Sequence, residues 1–201
     1  AYLVGGFLRD AVMGRPSRDI DVTVQGDGML LARELAAEMR GAFVPLDEAH
    51  AMARVVLPEG REQGRWQVDL ASFDGDIAHD LARRDFTIDA LALSLDDALE
   101  GVSEKKLIDP FGGLSDLAGA TVRAVSHRVF QEDPVRLLRG VRLVAQLGFS
   151  LDPGTRELMA RDAHLLTAVA SERLRDELLK TLAEEGASHH LRLMDDLGLL
   201  C

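Results

Sequence analysis

Residues 2–24 read YLVGGFLRDAVMGRPSRDIDVTV, and the rest of the chain is arranged around this stretch. Tyr2-Leu3-Val4 has the character of a short strand. Gly5-Gly6 makes a tight turn into a helix that carries Arg9, and a polar loop leads to a second strand, Asp19 to Val24. Strand side chains alternate between faces, so Asp19, Asp21 and Thr23 share one face while Ile20, Val22 and Val24 face a core. Two carboxylates about 7 Å apart along a strand repel each other unless a cation lies between them. Hard oxygen ligands suit Mg²⁺, which keeps several waters and takes substrate phosphates as further ligands. A Gly-Gly turn opening a helix presents backbone N–H groups at the positive end of the helix dipole, and Arg9 adds a fixed cation. Each piece alone is common in folds that do no chemistry. Their conjunction in one short unit points to phosphoryl or nucleotidyl transfer.

The chain has 201 residues and a formal net charge of −11. That length allows one large domain or two small ones. No apolar run approaches membrane-spanning length, and no secretory leader is visible. The single cysteine, Cys201, rules out a disulfide framework and suits a reducing compartment. The acidic balance opposes broad nonspecific nucleic-acid binding by this stretch of chain, although an arginine-lined groove stays compatible with it. The chain opens on a strand and stops after Leu199-Leu200, which reads as a trimmed piece of a longer protein.

After the opening unit, Gly28 to about Arg40 reads as a helix with Leu31, Leu35 and Met39 on its core face. Phe43-Val44 and Ala53 to Leu57 read as strands, and Pro58 to Arg65 as a polar turn. Trp66 to Ala71 is a further strand, with Trp66, Val68 and Leu70 on one face and Asp69 on the other. If it neighbours the D-x-D strand, Asp69 completes a carboxylate triad; otherwise it is one polar residue on a half-exposed strand. Asp80 is a candidate helix cap, and a strand begins near Ala90. Arg83-Arg84-Asp85 reads either as a solvated helix end or as Arg84 facing a triphosphate with Asp85 bracing it. Leu107 to Asp109 is a strand, and a short helix and strand Val122–Ala124 follow.

From Phe130 the pattern is helical to the end. Asp133-Pro134 is a helix start, with Asp as N-cap and Pro at the first helical position. Arg136, Arg139 and Arg142 recur every three residues on one face, opposite Leu137, Val141 and Ala145. Asp152-Pro153 starts another helix. A third follows Ser171 with a Leu174, Leu178, Leu182 stripe, and the last carries Leu191, Met194 and Leu197. The shift near residue 126 divides an α/β part, 1–125, from an all-helical part, 126–201. His79 and His189-His190 lack a second ligand set and read as surface or cap residues.

Four ordered stretches carry a resemblance. GGFLRD with DID, RRDFTIDALAL (residues 83–93), EDPVRLLRGVRLVAQLGF (132–149) and SERLRDELLKTL (171–182) resemble the motifs of class II tRNA nucleotidyltransferases and the related bacterial poly(A) polymerases. The resemblance covers nearly the whole chain. It implies an α+β fold, with a mixed-sheet nucleotidyltransferase head followed by a helical neck, and body and tail domains outside this chain. It implies cytoplasmic, template-independent addition of C, A or both to the 3′ end of tRNA, from CTP or ATP with Mg²⁺. Asp19 and Asp21 would hold the metal, with Asp69 as a third catalytic carboxylate. Gly5, Gly6, Arg9 and Arg84 would contact the triphosphate. Asp133, Arg136, Arg139 and Arg142 would lie on the nucleotide-selecting helix.

Asp133 and Arg136 are three apart, so their side chains can lie together. A carboxylate accepts and a guanidinium donates, which suits the amino-bearing edges of cytosine and adenine and mismatches uracil and guanine. The chain departs from the family at Asp89, where Asn is usual. It departs again at Ser72 to Asp76, where many members have a long segment associated with adding the terminal A. The short form resembles members that add only C. Two other readings stand beside it, a poly(A) polymerase and a catalytically silent nucleotide-binding module. A dinucleotide dehydrogenase would need G-x-G-x-x-G, which is lacking.

Overall fold

The computed structural model describes residues 1–48, 51–58 and 64–200. Most of the polar turn expected at Pro58 to Arg65, and Cys201, lie outside the described residues. The chain divides into two compact units, residues 1–82 with 89–110, and residues 83–88 with 111–201.

The first unit is built on a six-stranded mixed sheet. In chain order its elements are β1 (Tyr2–Val4), α1 (Gly5–Val12), β2 (Asp19–Gln25), α2 (Gly28–Glu38), β3 (Ala42–Asp47), β4 (Met52–Val56), β5 (Gln67–Phe73), α3 (Ile77–Ala82), β6 (Ala92–Ser94) and α4 (Leu95–Ala98). The strand order is β3-β4-β5-β2-β1-β6. Strands β2 and β5 run parallel, and every other neighbouring pair is antiparallel. Alternation works as the sequence suggests: Val68 and Leu70 of β5 and Ala53 and Val55 of β4 are buried, with Ile20 and Val22 of β2 packed against the same cluster. This apolar face is covered by α2, capped by Asp27, whose side chain accepts from Leu30 N–H at 2.9 Å.

The face of α2 that does the packing is not the expected leucine stripe. Ala32 and Ala36 are buried, while Leu31 and Met39 are 40% and 48% exposed. A helix lying directly on β4 and β5 brings its axis close to the strands, and small side chains permit that approach; Met29 and Leu35 pack at the margins. Other expectations shift as well. Asp80 lies inside α3 and is buried, so it is not a helix cap. Leu107 to Asp109 forms no strand and contributes a single antiparallel bridge, Ile108 to Ala92.

The second unit is mainly helical: α5 (Gly113–Ala118), α6 (Val129–Glu132), α7 (Arg136–Leu147), α8 (Pro153–Asp162), α9 (Ser171–Leu182) and α10 (Ala187–Asp196). A short parallel pair is inserted: β7 (Thr121–Val122), overlapping the strand expected at Val122–Ala124, with β8 (Ser150–Leu151), which lies in the part expected to be all helical. Residues 85–87 join this unit through the backbone: Val125 N–H donates to Asp85 C=O at 3.0 Å and Thr87 N–H to Arg123 C=O at 2.9 Å. Helix α8 starts as predicted, with Asp152 accepting from Thr155 N–H at 2.8 Å and Pro153 in the first turn. Helix α7 runs from Arg136 and is led in by a turn over Asp133-Pro134-Val135: Asp133 is extended, and its Oδ1 accepts from Val135 N–H at 3.4 Å, as an N-cap side chain does. Pro134 disfavours helical geometry in the residue before it, which breaks the run there. Of the α9 stripe, Leu182 is exposed, and the helix's one buried residue is Thr181. In α10, Met194 is buried and Leu191 lies at the surface. Among the described residues, no helix is long and apolar enough to cross a membrane.

The core of this unit closes on Phe86, Phe130 and Met159, all fully buried. Gly140 of α7 meets them where nothing larger fits: a Cβ there would stand 2.9 Å from Phe86 Cζ and 3.3 Å from Met159 Cε. Replacing Gly140 by Ala is therefore expected to cost about 1–3 kcal/mol by overpacking, despite the higher helix propensity of alanine. Urea denaturation of the variant beside the parent measures it.

Candidate active site

The register of the central strands brings the carboxylates together. Asp21 of β2 pairs with Val4 of β1 on one side and with Asp69 of β5 on the other. The first pairing sets the start of the Gly5-Gly6 turn beside Asp21. The second places Asp69 on the face shared by Asp19 and Asp21, so β5 does neighbour the D-x-D strand. That face is open at its aspartate end, where Asp19 is exposed and Asp21 half-buried, and closes at Thr23, which is buried.

Helix α1 follows β1 without a break. Gly5 adopts φ +70°, a left-handed conformation that favours glycine, and lets the chain pass from strand to helix in one residue. Val4, at the N-cap, offers no side-chain cap to the first N–H groups of α1. Gly6 is small for a different reason. A Cβ there would lie 3.3 Å from Nη2 of Arg9, because the guanidinium folds back over the turn. Arg9 is held by two carboxylates: Nε donates to Asp10 Oδ1 at 2.9 Å and Nη1 donates to Asp89 Oδ1 at 2.7 Å. Its side chain is only 12% exposed, and that of Asp89 4%. The acid at position 89 thus acts as a charged strut for Arg9.

Asp69 is engaged by a residue that the sequence did not single out. Arg54 of β4 lies directly across from it. Arg54 Nε donates to Asp69 Oδ1 at 2.7 Å and Nη2 donates to Oδ2 at 2.8 Å, a two-pronged pair. The hydrogen bonds to Asp69 hold the Arg54 guanidinium above its usual range against a smaller opposing effect of burial, and the charges of Asp69, Asp19 and Asp21 add to the rise. Arg54 therefore senses all three carboxylates. The available signal was cross-strand: an arginine on the polar face of the strand preceding Asp69. Among the described residues, no group of three or more His, Cys, Asp or Glu is placed to hold a metal ion.

The remaining predicted residues lie in the second unit. Asp85 Oδ2 lies 2.7 Å from Arg139 Nε, and its Oδ1 accepts from Phe86 N–H at 3.0 Å. Asp133 and Arg136 are not paired with one another. Asp133 Oδ2 accepts from Arg173 Nη2 at 2.7 Å, while Arg136 Nη2 donates to the Arg83 carbonyl at 2.8 Å. Arg142 Nε lies 2.7 Å from Glu177. The third and fourth motifs are thus laced together, with Arg173 and Glu177 of α9 meeting Asp133 and Arg142. Arg84 belongs to the 83–88 segment of this unit. Of the histidines expected at the surface, His190 is buried, its Nε2 3.0 Å from the Glu185 carbonyl.

Residues 1–123 match the family described as Poly A polymerase head domain, and residues 148–201 match the one described as Probable RNA and SrmB- binding site of polymerase A. A CC-adding tRNA nucleotidyltransferase of Geobacter sulfurreducens is 45% identical over 184 residues, covering 90% of this chain and 40% of its own length. An A-adding tRNA nucleotidyltransferase of Deinococcus radiodurans is 38% identical over 205 residues, covering 100% of this chain and 44% of its own. Among solved structures, the Thermotoga maritima CCA-adding enzyme complexed with tRNA superposes with a TM-score of 0.81 at 32% identity, over 98% of this chain and 46% of that one. The chain therefore spans less than half the length of these relatives.

The Arg9 clamp yields a measurable expectation. Asp89→Ala removes a charge-assisted hydrogen bond from a nearly buried guanidinium and should lower stability by about 2–3 kcal/mol. Asp89→Asn keeps an acceptor oxygen of the same reach and should cost roughly half that or less. Thermal and urea unfolding of the two variants side by side distinguish a charge requirement from a shape requirement.

Proposed function

We propose that this chain, which belongs to the poly A polymerase head-domain family, forms the catalytic head (residues 1–125) and nucleotide-selecting neck (residues 126–201) of a template-independent tRNA nucleotidyltransferase. The reaction adds C, A or both to the 3′ end of tRNA, consumes CTP or ATP and releases pyrophosphate. The observation that carries the reading is the register at Asp21. It places a D-x-D pair on an open sheet face, directly beside a glycine turn and an uncapped helix start. The names of the relatives and of the structural neighbours support the substrate class. The proposed setting is the cytoplasm.

The donor set fits a divalent cation of the Mg²⁺ kind. Two carboxylates on one face suit a metal that completes its shell with water and substrate phosphates; they do not suit an all-protein cage. Asp19 and Asp21 would hold it. Such a cation, when bound, supplies polarisation of the RNA 3′-hydroxyl and neutralises charge on the phosphates. The N–H groups opening α1 donate to phosphate oxygens and, with the dipole of that helix, favour the developing negative charge. Arg9, fixed by Asp10 and Asp89, contributes a cation whose position costs no reorganisation during the reaction. In the second unit, Arg84 is assigned to the triphosphate. Asp133, Arg136, Arg139 and Arg142 are assigned to the incoming nucleotide, with their ion pairs keeping the helix face rigid. A catalytically silent binding module is the competing reading, and the D-x-D pair speaks against it.

A C-only activity is favoured by one feature. Just Asp74, Gly75 and Asp76 separate β5 from α3, so no long segment precedes the 83–93 motif. The relative from Geobacter that adds CC points the same way.

Asp21→Ala is expected to abolish pyrophosphate release from CTP with a tRNA lacking its 3′ end, with native circular dichroism retained. Transfer at a rate comparable with the parent overturns the catalytic reading. Sequencing of product ends from the full-length protein tests the nucleotide order, with CC ends and no terminal A expected.

A further inference from the structure

Arg54 belongs to no motif and was assigned no role above, yet it is the cation built into the carboxylate row. Arg54, Asp69 and Asp21 stand opposite one another on three adjacent strands. Residues directly opposite on neighbouring strands point to the same face, so the guanidinium lies on the side that presents Asp19 and Asp21. Both oxygens of Asp69 accept from it, at 2.7 and 2.8 Å. The side chain of Asp69 is 17% exposed and that of Arg54 36%, which leaves the pair accessible at its arginine end and covered at its carboxylate end. The influence of Asp19 and Asp21 on Arg54 agrees with this placement.

We propose that Arg54 is a positioning residue that keeps Asp69 out of the metal shell, so that the protein supplies two carboxylates, Asp19 and Asp21, to the divalent cation. This rests on the metal site proposed above. A cation at about 2.1 Å from the oxygens of Asp69 would stand roughly 5 Å from a full positive charge, and like charges that close repel strongly in a partly buried site. Arginine remains protonated under all ordinary conditions, so it cannot relieve the repulsion by losing a proton. Asp69 therefore serves Arg54 as an anchor. Arg54 in turn offsets the repulsion between neighbouring carboxylates while no metal is bound.

The test is Mn²⁺ binding to the full chain, read by electron paramagnetic resonance and by the metal-induced shift in unfolding temperature, with no turnover involved. Four proteins are compared: the parent, Asp69→Asn, Arg54→Met and the double variant, each checked for native circular dichroism. The proposal expects Asp69→Asn to bind within about twofold of the parent. It expects Arg54→Met to bind about tenfold more tightly, because a positive charge leaves and a carboxylate is released toward the metal. The double variant should lose that gain. Tenfold weaker binding by Asp69→Asn would make Asp69 a ligand and overturn the proposal, as would an unchanged affinity in Arg54→Met. Failure of the parent to bind Mn²⁺ in a manner abolished by Asp21→Asn is a separate outcome: it removes the metal site itself, and this proposal with it.

Discussion

Carboxylates on adjacent strands repel, and the first unit is arranged around managing that repulsion on one face of a sheet. The pairing of β2 with β5 sets Asp21 against Asp69. On the reverse face the same two strands bury Val68 and Leu70, with Ile20 and Val22 packed beside them. A slip of one residue would invert both faces at once, burying the acids under α2 and exposing the apolar side chains. The hydrophobic cluster therefore fixes the register, and the register places the acids. The buried apolar face and the row of acids are two consequences of one alternation.

The two arginines of the first unit that are held by carboxylates find them at different distances along the chain. Arg54 reaches Asp69 across a strand pair, while Arg9 is held by its neighbour Asp10 and by Asp89, eighty residues away. Both guanidiniums are oriented by carboxylates, Arg54 at Nε and Nη2 and Arg9 at Nε, Nη1 and Nη2. An arginine restrained in this way loses little further freedom when an anion meets it.

The second unit applies the same chemistry to helices. Its arginines on α7 are partnered rather than waving in solvent: Arg139 with Asp85, Arg142 with Glu177, and Asp133 in turn with Arg173 of α9. These contacts tie motifs far apart in the chain into one rigid set. They also account for two of the charges in the last motif, SERLRDELLKTL: Arg173 and Glu177 lie one turn apart and meet Asp133, just before α7, and Arg142, within it.

Much of this was legible in the chain itself. The strand–turn–helix–strand opening, the alternation on β2 and β5, the cap at Asp152 and the α+β class followed from local rules, because side-chain period and turn chemistry act over a few residues. The four motifs in order indicated the family. What the sequence did not determine depends on contacts between distant segments. Alanines rather than leucines form the contact face of α2, because the closeness of helix to sheet is set by packing. Asp133, at the junction of α6 and α7, has its side chain claimed by Arg173 and not by Arg136. Arg54, within an unremarkable strand, proved to be the partner of Asp69. Ion pairs carry no periodicity that a linear reading can detect; only the register of the sheet and the packing of the helices decided which charge meets which.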